Sequence, residues 1–165
     1  EVVVGLSVRS LLDLYLSAKS FSTLSEIIMV PAINIQTMVD VMLYHGLRVV
    51  PIDIKSKDDG HEEGLTIDMV DVKAVEKSIS KRTVAIMVVH PFGQISASEN
   101  DMEKLNEIAM KNNLILMEDC AECYAGDAGA HGSQYSDVKF FSFGTIKTST
   151  ALGGGLAILP MKEKS

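Results

Sequence analysis

Short runs in this chain are mostly apolar along their length instead of strictly alternating. They are Glu26 to Val30, Val49 to Ile54, Thr83 to Val89, Leu114 to Met117, Val138 to Phe143 and Leu156 to Leu159. A strand that is apolar on both sides needs cover on both faces of its sheet. Several of the intervening segments have helical spacing. Leu11-Leu12-Asp13-Leu14-Tyr15-Leu16 reads as a buried helix. Residues 33–45 place Met38, Val41 and Met42 on one face, with Gly46 as a stop. Asp68 is expected to cap a helix with Met69, Val72, Val75 and Ile79 inward, and Ser98 to Asn113 turns Met102, Leu105, Ile108 and Ala109 inward. Strands alternating with helices specify βαβ units. The expected fold is therefore α/β, a three-layer α/β/α domain around a mostly parallel sheet. Such sheets bind ligands beyond the carboxyl ends of their strands, where His90 and Asp119 fall.

Composition narrows the function. With 165 residues the chain is expected to be one domain over 1–165. The net charge is −7, and the Lys and Arg residues are scattered. Nucleic acid is thus not an expected partner, since phosphate neutralisation needs a basic face. No apolar stretch approaches the ~20 residues of a membrane span, and the opening Glu1-Val2-Val3-Val4-Gly5 lacks the basic start of a secretion signal. A cytoplasmic protein is expected. The two cysteines form Cys120-x-x-Cys123. Zinc would need further ligands, and His45, His61, His90 and His131 form no pair, so no metal site is expected. A redox motif is the alternative; reduced thiols at a strand end are the simpler reading. The charged stretch from Lys55 to Gly64 reads as a surface loop.

One constellation carries chemistry. The apolar run Leu114 to Met117 ends in Glu118-Asp119. Phe141-Ser142-Phe143-Gly144-Thr145-Ile146-Lys147 follows, then Gly153-Gly154-Gly155. A carboxylate at a strand end, a serine five residues before a lysine, and a glycine cluster suit a pyridoxal 5′-phosphate (PLP) site. Lys147 would form the Schiff base and Asp119 would keep the pyridine nitrogen protonated. Ser142 and backbone N–H groups would hold the phosphate. Each residue has a plainer reading: Asp119 a cap, Lys147 a surface lysine, Ser142 a core serine, His90 a structural histidine, and the glycines a turn. The order and spacing together favour the site. There is no G-x-G-x-x-G and no P-loop.

The same residues resemble the DegT/DnrJ/EryC1/StrS family of PLP-dependent sugar aminotransferases, of the aspartate aminotransferase fold type. The resemblance rests on Val30-Pro31-Ala32, Val50-Pro51-Ile52-Asp53-Ile54, Ile67-Asp68, Val89-His90-Pro91-Phe92-Gly93-Gln94 and Glu118-Asp119-Cys120-Ala121. Gly132-Ser133, Asp137, Phe141-Ser142-Phe143, Lys147 and Gly154-Gly155 complete it. It runs from about residue 5 to 160. It implies that Lys147 is the Schiff-base lysine, Asp119 the pyridinium partner and Ser142 a phosphate ligand, with His90 lining the cofactor pocket. It further implies transfer of an amino group from an amino acid donor, glutamate, to a keto group on a nucleotide-linked sugar, in a homodimer. A lyase or dehydratase on the same fold, and a non-catalytic binding or assembly module, are the alternatives. By this resemblance residues 1–165 are expected to correspond to the family's cofactor-binding large domain.

The chain departs from the family at three places. The family's small-residue phosphate turn reads Ser7-Val8-Arg9-Ser10-Leu11 here. The position whose aromatic ring stacks on the cofactor is Ile35, which keeps apolar contact but not stacking. Three residues past the aspartate stands Glu122, whose charge would repel the cofactor's phenolic oxygen unless it turns away or is protonated.

Overall fold

A computed structural model of the chain describes residues 1–55, 69–126 and 131–159. The strands are β1 (Val2–Gly5), β2 (Glu26–Val30), β3 (Arg48–Pro51), β4 (Thr83–Val89), β5 (Ile115–Asp119), β6 (Val138–Ser142) and β7 (Gly155–Ile158). The helices are α1 (Val8–Lys19), α2 (Gln36–Tyr44), α3 (Val72–Ser78) and α4 (Glu99–Asn112), with a 3-10 turn at Pro91–Gly93. All the strands form one sheet in the order β1-β7-β6-β5-β4-β2-β3. Strands β2 to β6 run parallel to one another, and β7 pairs antiparallel with both β6 and β1.

The apolar runs are explained by two cores. Successive strand residues point to opposite faces, and both faces are covered. Ile27, Met29, Met87, Met117 and Phe140 pack with Leu12, Leu16, Met38 and Met42 from α1 and α2. Ile28, Ile86, Val88 and Leu116 pack with Val75, Met102, Leu105 and Ala109 from α3 and α4. The sheet therefore lies between two helical layers, as the uninterrupted runs required.

Boundaries differ from the sequence reading for local reasons. Strand β1 is an edge strand with Val2 and Val4 exposed, so its apolar pattern carries no burial signal. Helix α2 starts only after Ile35, whose extended backbone N–H is taken by Asn34 Oδ1 at 2.7 Å. The proposed cap Asp68 lies outside the described residues. Helix α3 begins at Val72 with Asp71 as its cap, Oδ1 accepting from the Ala74 N–H at 2.9 Å. Met69 is buried ahead of that helix, not in it. Strand β5 runs on through Glu118 and Asp119, so both carboxylates belong to the strand and leave it on opposite faces.

Gly155 fixes how α1 meets the sheet. A Cβ there would lie 3.0 Å from Phe141 O and 3.1 Å from both Ser7 C and Val8 N. Only glycine lets the start of α1 sit this close to β7. Gly154, just before, has φ +90, a conformation other residues rarely adopt.

Candidate active site

The catalytic and cofactor-binding candidates, though not Gly153, Gly154 or Gly155, border one cavity of about 480 Å³ at the carboxyl ends of the strands. That volume is in the range of ligand pockets, roughly 300–1,000 Å³. Ser7, Val8, Ile35, His90, Asp119, Glu122, Ser142 and Lys147 all contribute to its walls.

Asp119 ends β5 and is buried. Its Oδ1 accepts from the Ala121 N–H at 3.0 Å, and its Oδ2 receives only a long 3.4 Å contact from Asn34 Nδ2. Burial pushes the Asp119 carboxyl above its ordinary range; Ala121, Asn34, His90 and Lys147 pull the other way without offsetting it. A carboxylate held this way favours a further cationic hydrogen-bond donor.

Lys147 lies in the turn after β6, its N–H bonded to Gly144 O at 3.0 Å. Its Nζ is 3.6 Å from Glu122 Oε1, and its side chain is 19% exposed. The other Glu122 oxygen accepts from the Phe92 N–H at 2.7 Å. Glu122 therefore faces the lysine and does not turn away. Ser142 is half-buried at the end of β6, with the Gly144 N–H 3.5 Å from its Oγ.

Helix α1 opens on the cavity. Ser7 caps it: Ser7 Oγ accepts from the Ser10 N–H at 3.2 Å, and Ser10 Oγ accepts from the Ser7 N–H at 3.0 Å. A cap satisfies one first-turn N–H, and the remaining ones suit an anion at the positive end of the helix. Arg9 is exposed, with Nη1 3.5 Å from Thr37 Oγ1 in α2. Ile35 precedes α2 and is 50% exposed, giving the cavity an apolar wall.

His90 borders the cavity but its ring is engaged elsewhere. Nε2 lies 2.8 Å from Glu118 Oε1, and Nδ1 lies 3.0 Å from Ser96 Oγ and 3.1 Å from Ser96 N. Glu118 also accepts from the Ser133 N–H at 2.8 Å and from Ser136 Oγ at 2.5 Å. Burial pushes the Glu118 carboxyl up, but His90 and the serine donors outweigh it and hold it low. Burial pushes His90 down, and Glu118 outweighs that and holds it high. His90, Glu118 and Cys120 offer ligand atoms within 4.8 Å of one another. The histidine and glutamate atoms already have hydrogen-bond partners.

Sequence reasoning missed Asn34, which accepts from the Ile35 N–H just ahead of α2 and reaches Asp119. A polar residue between Ile33 and Ile35 just ahead of a helix was its signal. It also missed Ser96 and Ser136, for which no local pattern exists, and it named Ser133 only within a motif, without its bond to Glu118.

The DegT/DnrJ/EryC1/StrS aminotransferase family model matches residues 7–163. GDP-perosamine synthase of Escherichia coli O157:H7 is 32% identical over 148 residues, covering 89% of this chain and 37% of that protein. The dTDP-3-amino-3,4,6-trideoxy-alpha-D-glucose transaminase of Micromonospora megalomicea subsp. nigra is 34% identical over 121 residues, covering 73% of this chain and 29% of that protein. Among solved structures, 3-amino-5-hydroxybenzoic acid synthase superposes with a TM-score of 0.75 at 25% identity, over 98% of this chain and 39% of that one. The chain spans well under half the length of the proteins it matches. No helix of the described residues is long and apolar enough to cross a membrane.

Proposed function

Because this chain belongs to the DegT/DnrJ/EryC1/StrS aminotransferase family, we propose that it is the cofactor-binding large domain of a PLP-dependent aminotransferase. Its amino donor is an amino acid, glutamate, and its acceptor is a keto group on a nucleotide-linked sugar. The relatives named for GDP- and dTDP-sugars support that class of acceptor. The protein acts in the cytoplasm as a homodimer. Phe92 and Ile146, 72% and 89% exposed at the cavity, support a partner surface there.

The donor set fits PLP. The observation that carries the reading is Asp119, a buried carboxylate whose Oδ2 has only a 3.4 Å contact, in the same cavity as Lys147. A protonated ring nitrogen supplies the donor that this oxygen lacks. The first turn of α1 and Ser142 suit the phosphate, and Ile35 gives the ring an apolar face. When bound, PLP supplies the electron sink for amino transfer. Lys147 Nζ would be the amine that holds the cofactor and the base placed to move a proton on the substrate. Asp119 would hold the ring nitrogen of the bound cofactor in its cationic form. Glu122 holds the Phe92 turn and faces Lys147.

The test is to add PLP to the protein, record the visible spectrum, reduce with borohydride and map the modified peptide. A band that borohydride traps on Lys147, and that Lys147→Ala abolishes, is expected. No band, or one that Lys147→Ala retains, overturns the reading.

A further inference from the structure

The two cysteines are not used by that chemistry. Both are free and buried, Cys120 fully and Cys123 at 6% exposure. They pack with Phe141, and Tyr124, Phe143 and Leu156 close over them. The backbone N–H of Cys120 is tied to Phe140 O at 2.8 Å, which fixes one end of the turn to β6. The two thiols stand three residues apart in one turn and belong to the same buried cluster. The residues between them hold the cavity's polar groups. The Ala121 N–H binds Asp119 Oδ1, and the Glu122 carboxylate binds the Phe92 N–H and faces Lys147.

We propose that Cys120 and Cys123 are a dithiol–disulfide couple that reacts with low-molecular-weight disulfides and closes the turn carrying Ala121 and Glu122. Cys123, nearer the surface, reacts first. Its thiolate attacks one sulfur of the small disulfide, forms a mixed disulfide and expels a small thiolate. Cys120 then attacks Cys123 Sγ and expels the second small thiol. The protein loses two electrons and two protons, and the reagent's S–S bond takes them up. The neighbouring Cys120 thiol, opposed by burial and aided by His90, holds the Cys123 thiol below its ordinary range, while Cys120 is held above its own. That is the order expected for an attacking and a resolving thiol. A metal competes poorly for this place, because His90 and Glu118 are already bonded to each other and to serines. The inference does not depend on the cofactor reading, since it needs no ligand in the cavity.

The test uses the native protein in glutathione and glutathione disulfide mixtures of graded ratio. Samples are acid-quenched, alkylated with a maleimide and weighed intact. The chain has only 2 cysteines, so assignment is unambiguous. The expected oxidised product is lighter than the reduced chain by two hydrogens and takes up no maleimide. Cys120→Ser should trap the glutathione adduct on Cys123, whereas Cys123→Ser should leave Cys120 unreacted. Amide exchange at Ala121 and Phe92 should differ between the reduced and oxidised wild type. A wild type that stays reduced at every ratio, ends as a stable glutathione adduct, or is isolated with zinc bound to both thiols overturns the proposal. The wild-type result stands even where a variant fails to fold.

Discussion

Glu118 and Asp119 are adjacent in one strand, both buried, and treated in opposite ways. Glu118 faces the α3–α4 side, where His90, Ser133 and Ser136 satisfy it and hold its carboxyl low. Asp119 faces the cavity, where one N–H and one long amide contact leave its carboxyl high. A buried charge that is fully bonded is part of the structure. A buried charge with bonding capacity left is set up for a ligand. The two sides of the strand end therefore separate scaffold from candidate site.

The comparison predicts unequal costs. Glu118→Ala strands His90 in the interior and should cost about 3–5 kcal/mol of stability by urea unfolding; a loss under about 1 kcal/mol would break the contrast. Gly155→Ala forces a Cβ against the start of α1 and should cost about 1–3 kcal/mol. It should also weaken phosphate binding, read as reduced retention of PLP. Ile35→Tyr offers the ring an aromatic face and should tighten PLP binding by about 0.5–1.5 kcal/mol, measured by fluorescence titration. Asp119→Asn should leave stability at neutral pH unchanged or raised, while abolishing tight PLP binding.

The pH dependence sharpens the contrast. The Glu118 carboxyl is lower in the folded state than unfolded, so its stabilisation is present above the unfolded pKa. It is lost as pH falls through the folded one. The Asp119 carboxyl is higher when folded, so ionising it destabilises the fold as pH rises past the unfolded pKa. Unfolding measured from mildly acidic to neutral pH should therefore show the Asp119→Asn advantage growing as pH rises. An advantage independent of pH would show that Asp119 is not titrating as described.

The site was largely legible because its members stand in ordered motifs. Lys147, Ser142 and Asp119 are tied by strand ends and fixed spacings, and Ser7 sits at a helix start. His90 illustrates the limit. Its position after β4 placed its backbone at the cavity, but its ring turns to the opposite side, toward Ser96 and Glu118. Period-two alternation links His90 with Val88 and not with Val89, yet nothing local names Glu118 as its partner, 28 residues away.

The sequence by itself determined the α/β alternation, the buried parallel strands and the spacing of the carboxylate, serine and lysine. Burial patterns and turn residues are local, so they can be read along the chain. The tertiary structure alone decided which carboxylate is satisfied, that Asn34 reaches Asp119, that Glu122 faces Lys147, and that both thiols are buried in one cluster. Those outcomes depend on contacts between distant segments, and close packing at the strand ends fixes them only once the sheet is assembled.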